Sequence, residues 1–242
     1  RPSAGDFPWA DQLYPSAHRR LYRRYLWGDL SAVRAGDAPR LYDLCPDDLP
    51  VLMRLHLIRH TTPDVPAGVC YGQSDVPLAS SFATEAQEVR KRLCTLLEGN
   101  VPSRVYSSPL SRCLLLAEAC GYPDALRDDR LMELNFGAWE LQRFDTIADP
   151  QLERWYADYL YEAPTGGESF HSQVLRVSSF LDDLCVEVQK ASVENEDSPT
   201  GEVLVFTHGG VLMGAGIWAG LFSMEEAFDH RAPYGGILTL EI

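Results

Sequence analysis

Three short apolar runs, each followed at once by basic or hydroxyl side chains, most constrain how this chain can fold. "LHLI" leads to Arg59 and His60, a short strand-like run ends at Ser107 before "SSPLSR" with Arg112, and "VLVF" leads to "THGG" with His208. Helical patterns separate these runs, which indicates βαβ units. Ligands of such sheets bind beyond the carboxyl ends of the strands, so we expect the three clusters to meet at one edge.

The periodicity between these clusters predicts a three-layer α/β/α sandwich with a mainly parallel central sheet. Strands are expected over 53–59, 104–107 and 201–208. Helices are expected over 82–98, over 109–119 with Ser108 as the cap and Pro109 in the first turn, and over 150–161, 169–190 and 211–222. The helix over 82–98 has one apolar stripe, made by Phe82, Ala86, Val89, Leu93 and Leu97.

Length and charge narrow the function classes. A chain of 242 residues with 45% hydrophobic content is sufficient for one well-buried domain with an appendage. The formal charge of -14 disfavours nucleic acid and anionic membrane surfaces as partners. No apolar run reaches the roughly 18 residues of a membrane span, so we expect a cytoplasmic protein.

Residues 1–52 differ from the rest and are interpreted as an N-terminal extension, with the catalytic domain over 53–242. The extension carries seven Arg and seven Asp and no net charge, so the acidic excess belongs to the domain. Its pattern indicates one short amphipathic helix near 16–26 with a basic face. This face is interpreted as solvated, with docking on the acidic body as the alternative.

The six cysteines are interpreted as free thiols of a reducing compartment. They form no CxxC pair and no cluster with histidine at zinc-ligand spacing. A disulfide framework is the alternative, but a core of this size does not need such cross-links. The six are Cys45, Cys70, Cys94, Cys113, Cys120 and Cys185.

Four motifs in order resemble those of the histidine phosphatase, or phosphoglycerate mutase-like, superfamily. They are "LIRHTTP", "SSPLSRC", "ELNFGAWE" and "VLVFTHGG", and the resemblance covers about residues 53–240. Within that family, "RHTTPDVPAGVCYGQSDVPL" and "PTGGESF" are most similar to the alpha-ribazole phosphatases of cobalamin biosynthesis. The resemblance implies a phosphoglycerate mutase-like fold and hydrolysis of a small phosphomonoester.

The resemblance also implies a role for each motif residue. His60 would attack phosphorus and form a phosphohistidine that water hydrolyses. Arg59 and Arg112 would bind the phosphoryl oxygens, and His208 would add a donor in the transition state. Glu133 would protonate the leaving alkoxide and later deprotonate water. We expect apolar neighbours to bring the Glu133 pKa near the operating pH.

The leaving-group contacts are less constrained by the motifs. Thr61 stands where the family commonly has glycine, and its hydroxyl or N–H remains able to bind phosphate. Tyr71, Gln73 and Glu168 are the candidates for leaving-group contacts, against the alternative that they are ordinary loop residues. The insertion over 134–170 would shape the pocket walls.

Other readings of the motifs stay open. A phosphoglycerate mutase-like enzyme needs extra cationic side chains, but the chain has only two lysines, Lys91 and Lys190. A broad-specificity phosphosugar phosphatase and a non-catalytic phosphate-binding regulatory module are further alternatives. No metal or other cofactor is expected, since arginines supply the positive charge that magnesium supplies elsewhere. The sequence is compatible with a homodimer and does not decide the oligomeric state.

Deleting residues 1–52 tests the proposed domain boundary. If the segment is accessory, the shortened protein is expected to hydrolyse a generic phosphomonoester at close to the full-length rate. A collapsed and inactive product, detected by circular dichroism and a turnover assay, would show that the segment belongs to the catalytic fold.

Overall fold

The structure is a computed structural model that describes residues 53–194 and 201–242. The predicted helix near 16–26, Cys45 and the rest of the proposed extension lie outside the described residues. The boundary at residue 53 therefore stays a prediction.

A five-stranded sheet forms the centre of the described region, in the order β3-β2-β4-β1-β5. The strands are β1 Met53–Arg59, β2 Arg104–Ser107, β3 Leu126–Arg127, β4 Gly201–Thr207 and β5 Ile237–Glu241. β1, β2, β3 and β4 run parallel, and β5 pairs antiparallel with β1. The predicted mainly parallel α/β fold is confirmed, whereas β3 and β5 were not predicted.

The register of the parallel strands aligns their carboxyl ends. Arg59 of β1 lies opposite Thr207 of β4, and Ser107 of β2 lies opposite Phe206. The residues that follow each strand therefore emerge at the same edge, as the polar clusters predict. β4 is apolar over "VLVF" and buried throughout that run, as is typical of a central parallel strand.

Helices connect the strands, with bounds that differ somewhat from the predicted ones. The helices are α1 Phe82–Leu97, α2 Ser111–Cys120, α3 Gln151–Ala157, α4 Phe170–Glu194 and α5 Gly209–Trp218. The prediction for α2 was wrong at its start, because Leu110 is extended and takes the cap position. The Ser108 side chain instead lies against the ring of His208, with Nε2 and Oγ 2.8 Å apart.

The core on one face of the sheet is formed by α1 and α2. The predicted stripe of α1 is confirmed: four of its residues are buried and Phe82 packs against the same cluster. Ile58, Leu204 and Phe206 supply the sheet side of this cluster. Leu55 and Leu57 are also fully buried and, by strand alternation, point to the opposite face. There α4 and α5 pack together, with Val177 against Gly214.

The five cysteines within the described ranges are free thiols, and all but Cys94 are buried. Among the residues that the structure covers, no helix has the length and apolar character needed to cross a membrane.

Candidate active site

His60 directly follows β1 and is held in one tautomer by its own neighbour. Its backbone N–H donates to the carbonyl oxygen of Thr207 at 2.9 Å, and its ring Nδ1 lies 2.7 Å from the carbonyl oxygen of Thr61. A backbone carbonyl oxygen only accepts hydrogen bonds, so Nδ1 must carry the proton. The lone pair of the neutral ring therefore lies on Nε2, which is the atom available for attack on phosphorus.

The surroundings keep the His60 ring neutral. The side chain is 1% exposed, and burial together with the nearby guanidinium of Arg112 lowers its pKa from 6.5 to about 3. Arg59 acts in the same direction, against the raising effects of the bond to Thr61 O and the charge of Glu133. A neutral imidazole is the form that a nucleophile requires.

His208 faces His60 across the same space. The two ring centroids are 5.2 Å apart at an interplanar angle of 62°. His208 is fully buried between β4 and α5, and burial followed by the charge of Arg112 holds its pKa well below the usual range. The two imidazoles, 148 positions apart in sequence, thus meet at one sheet edge.

Arg59 is fixed on several sides and still has a buried donor without a partner among the described residues. Its Nη1 donates to Ala232 O at 2.5 Å, and its guanidinium carbon lies 4.1 Å from the ring centroid of Tyr234. Its Nε is buried and has no hydrogen-bond partner among the described residues. A buried unsatisfied donor of a cation is costly unless an anion is to be bound there.

Arg112 shows the same arrangement on the other side of the site. Its side chain is fully buried; Nη1 donates to Ser74 O at 3.0 Å and Nη2 to Gly72 O at 2.5 Å. Its Nε and the buried Thr61 hydroxyl lack partners within the described ranges. Neither Arg59 nor Arg112 forms an ion pair with a carboxylate of the described residues. Three unpaired donors from two segments, the end of β1 and the start of α2, suit a phosphoryl group.

Glu140 orders the loop that holds Arg112, a role that the sequence analysis missed. Its carboxylate accepts from the backbone N–H groups of Gly72, Gln73 and Ser74 at 2.8 to 3.0 Å. The carbonyls of residues 72 and 74 are thereby aimed at Arg112. The second glutamate of "ELNFGAWE" was the available sequence signal.

Glu133 lies in the site, but its expected pKa was wrong in direction. Burial raises the pKa of this carboxyl, yet the side chain of Gln173 and the N–H groups of Leu134 and Gly210 donate to it at 2.9 to 3.2 Å. These bonds, with the charge of Arg112, hold its pKa below the ordinary value. The apolar neighbours are outweighed because every one of these donors favours the carboxylate.

The absence of a side chain at Gly210 allows the Glu133 carboxylate to approach the start of α5. A Cβ at that position would overlap the Glu133 carboxylate and the Gln173 amide. Gln173, which sequence reasoning also missed, is fully buried and has an amide oxygen without a partner in the described structure. Nothing in a "HSQV" segment distinguishes such a residue from an ordinary helix position.

The three candidates for leaving-group contacts have different environments. The Tyr71 ring centroid lies 5.7 Å from the guanidinium carbon of Arg112, and Gln73 Nε2 donates to Glu133 O at 3.1 Å. Glu168 instead accepts from Arg176 at 2.6 and 3.0 Å, and Arg176 also donates to Glu133 O. Arg176, held by Glu168, thereby fixes the backbone at Glu133. Substrate contact by these three side chains stays a prediction.

The depressed histidine pKa values predict a specific loss of stability in acid. An unfolded histidine takes up a proton near pH 6.5, whereas folded His60 resists protonation down to about pH 3, so the unfolded state binds more protons in this window. The free energy of unfolding is expected to fall as pH drops below 6.5, by up to about 1.4 kcal/mol per pH unit for each such group.

A His60→Asn variant isolates this contribution. Chemical denaturation between pH 7 and 4 is expected to show a shallower pH slope in the variant than in the wild type. His171→Asn, which alters a partly exposed histidine beside Tyr161, is the matched control and should keep the wild-type slope. Identical slopes for the wild type and His60→Asn would show that His60 is not held neutral.

Comparison with known proteins identifies a family to which this chain is similar. A family model for the Histidine phosphatase superfamily (branch 1) matches residues 55–242. A protein of Enterobacter sp. (strain 638), named "Probable phosphoglycerate mutase GpmB", is 28% identical over 146 residues, which are 58% of this chain and 66% of that protein. "Bifunctional protein Rv2228c" of Mycobacterium tuberculosis (strain ATCC 25618 / H37Rv) is 37% identical over 94 residues, 37% of this chain and 26% of that protein.

A solved structure agrees over a larger share of its length. The crystal structure of the alpha-ribazole phosphatase from Shigella flexneri has a TM-score of 0.65 and 25% identity, covering 78% of this chain and 91% of that one. The two curated relatives, by contrast, are matched over just under two thirds and about a quarter of their length. The fold, the meeting of the motif residues at one sheet edge and the extent of the family match together show that the chain belongs to the histidine phosphatase superfamily.

Proposed function

We propose that this protein hydrolyses a small phosphomonoester through a phosphohistidine on His60, without a metal ion. The observation that carries the proposal is the neutral His60 ring with its lone pair on Nε2, beside three buried donors that have no partner in the described structure. Those donors are Arg59 Nε, Arg112 Nε and Thr61 Oγ1. His60 thus supplies the nucleophile, and the three donors supply the anion site next to it.

The reaction divides into two displacements at phosphorus. His60 Nε2 attacks in line while the bond to the leaving oxygen breaks, and Arg59 and Arg112 stabilise the equatorial oxygens. Glu133 gives a proton to the leaving alkoxide and then takes one from the water that attacks the phosphohistidine. The donors from Gln173, Leu134 and Gly210 and then the charge of Arg112 lower the Glu133 pKa, and a bound phosphate dianion that offsets the Arg112 charge removes the last of these effects.

Hydrolysis is favoured over mutase chemistry by the distribution of cations. A mutase must hold a second phosphoryl group while the intermediate reorients. Lys91 lies exposed on α1, and Lys190 lies exposed near the end of α4, 17 positions after Gln173 on the same helix. Mutase activity nevertheless remains the alternative that the Enterobacter relative's name suggests. A regulatory module that only binds phosphate is disfavoured because His60 and Glu133 keep chemically competent environments.

Alpha-ribazole 5'-phosphate, in cobalamin biosynthesis, is the substrate we propose. The "TTP" and "GGES" motifs and the Shigella flexneri structure support this choice. An aromatic cluster also lies against the loop that holds Arg112: Phe136 approaches Gly72, and its ring is 6.1 Å from Phe144 and 6.2 Å from Trp155. Such a surface suits a leaving group with a flat aromatic part. A broad-specificity phosphosugar phosphatase is the remaining alternative.

A substrate panel in the presence of EDTA tests the proposal. Phosphate release is expected to be fastest with alpha-ribazole 5'-phosphate, slower with sugar phosphates and unaffected by the chelator. His60→Ala is expected to lose at least about 10³-fold in kcat, because the covalent route disappears. His171→Ala is the matched histidine control and should turn over like the wild type.

Three outcomes would contradict parts of this proposal. Wild-type-like rates in His60→Ala would reject the phosphohistidine route. Interconversion of phosphoglycerates at a rate exceeding all hydrolysis would identify a mutase. A preference for sugar phosphates over alpha-ribazole 5'-phosphate would reject the substrate but keep the chemistry.

A further inference from the structure

Tyr234, which belongs to none of the four sequence motifs, contacts several residues of the phosphate site. It lies in the loop between the turn Ala227–His230 and β5, and its ring centroid is 5.5 Å from that of His60. Its ring also lies under the guanidinium group of Arg59, 4.1 Å from the guanidinium carbon. Its hydroxyl is 2.7 Å from the Tyr71 hydroxyl.

The loop that carries Tyr234 is tied to the end of β1. Arg59 N donates to Gly236 O at 2.9 Å, and Gly235 N donates to His60 O at 3.0 Å. Gly235 has a φ of +65°, a left-handed conformation that glycine adopts without strain. The tyrosine is therefore placed by the same backbone segment that places the nucleophile.

Contacts from three segments surround the guanidinium group of Arg59. One Nη donates to Ala232 O, which fixes one point of a long and flexible side chain. On α5, a Cβ at Gly209 would come within 3.1 Å of the guanidinium carbon, so the group has little room to move toward that helix. With the tyrosine ring, these contacts leave Nε as a buried donor that lacks a partner in the described region.

The second tyrosine extends the arrangement to Arg112. Tyr71 lies near the Arg112 guanidinium, with 5.7 Å between its ring centroid and the guanidinium carbon, and the two phenol groups join the tyrosines. Burial, followed by the bond to Tyr234, raises the pKa of Tyr71, so its hydroxyl keeps its proton and can take part in the pair. Each cation of the site thus has a tyrosine beside it, and the hydroxyl pair links the two.

We propose that Tyr234 is a positioning residue of the phosphate site. Its ring holds the Arg59 guanidinium plane by a cation–π contact, so that Nε faces the phosphoryl group beside His60. Its hydroxyl, through Tyr71, keeps the Arg59 side of the site at a fixed distance from the Arg112 side. This inference rests on the proposed function only in that a phosphoryl group is what the two arginines bind.

Orthophosphate affinity is the most direct readout of this role. Tyr234→Leu, which removes the π face, is expected to weaken orthophosphate binding about tenfold, the effect of losing a partly desolvated cation–π contact. Tyr234→Phe keeps the ring and is expected to lose only about twofold. Tyr161→Leu, at a tyrosine of similar exposure outside the site, is the matched control and should bind like the wild type.

A double-mutant cycle separates positioning of Arg59 from a general structural effect. In an Arg59→Ala background, Tyr234→Leu is expected to cause no further loss of orthophosphate affinity, because the side chain that it orients is gone. A full tenfold loss in that background would overturn the proposal. Equal damage by Tyr234→Phe and Tyr234→Leu would overturn the role of the ring, as would wild-type affinity in Tyr234→Leu.

Separate measurements distinguish a loss of folding and a loss of catalysis from a loss of orthophosphate binding. Thermal melts of every variant are compared with the wild type, and Tyr234→Met, which fills the space without a π face, replaces Tyr234→Leu if the latter unfolds. Titration calorimetry with orthophosphate needs no turnover. Wild-type protein that binds orthophosphate but hydrolyses no ester would contradict the proposed function alone, and protein that binds no orthophosphate would contradict both.

Discussion

The hydrogen bond from His60 Nδ1–H to the carbonyl of Thr61 is the interaction on which the site depends. It assigns the proton to one ring nitrogen and leaves the lone pair on the other, so the neutral imidazole has one reactive atom. The backbone supplies this acceptor because Thr61 directly follows His60 in the irregular segment after β1. Burial and two guanidinium groups then keep the ring unprotonated. Without the tautomer fixed in this way, the nearby cations would surround a ring with no defined direction of attack.

Two guanidinium groups, that of Arg112 fully buried and that of Arg59 partly buried, require an explanation of their own in an acidic protein. The structure holds Arg59 and Arg112 mainly by backbone carbonyls at residues 72, 74 and 232, which orient them while leaving their full positive charge. Glu140 contributes at one remove, by binding the N–H groups of the loop rather than the cation. A direct carboxylate partner would have satisfied the arginines and competed with a phosphoryl group. Glu133 and Glu140 lie near these cations, but neither forms an ion pair with them within the described residues, so the positive charge stays available to a phosphoryl group.

Strand-end residues were predictable from sequence, whereas the contacts between them were not. Apolar runs followed by Arg59–His60, by Arg112 and by His208 reveal the sheet edge, because parallel strands align their carboxyl ends. The antiparallel β5 was missed since its short apolar run resembles any buried segment. Ser108 was taken for a helix cap because cap residues and site residues share the same chemistry. The lowered pKa of Glu133 depends on donors from Gln173 and Gly210, 40 and 77 positions away, which no local pattern reveals.

Chemical trapping of the intermediate tests the central claim most directly. Wild-type protein is mixed with a phosphomonoester, quenched in alkali within milliseconds to preserve phosphoramidates, and analysed by peptide mapping and phosphorus NMR. The account predicts one phosphoryl group on His60, bonded to Nε2, since Nδ1 is occupied by its hydrogen bond to Thr61. Phosphate on Nδ1 of His60, on His208, or on no histidine during turnover would contradict it.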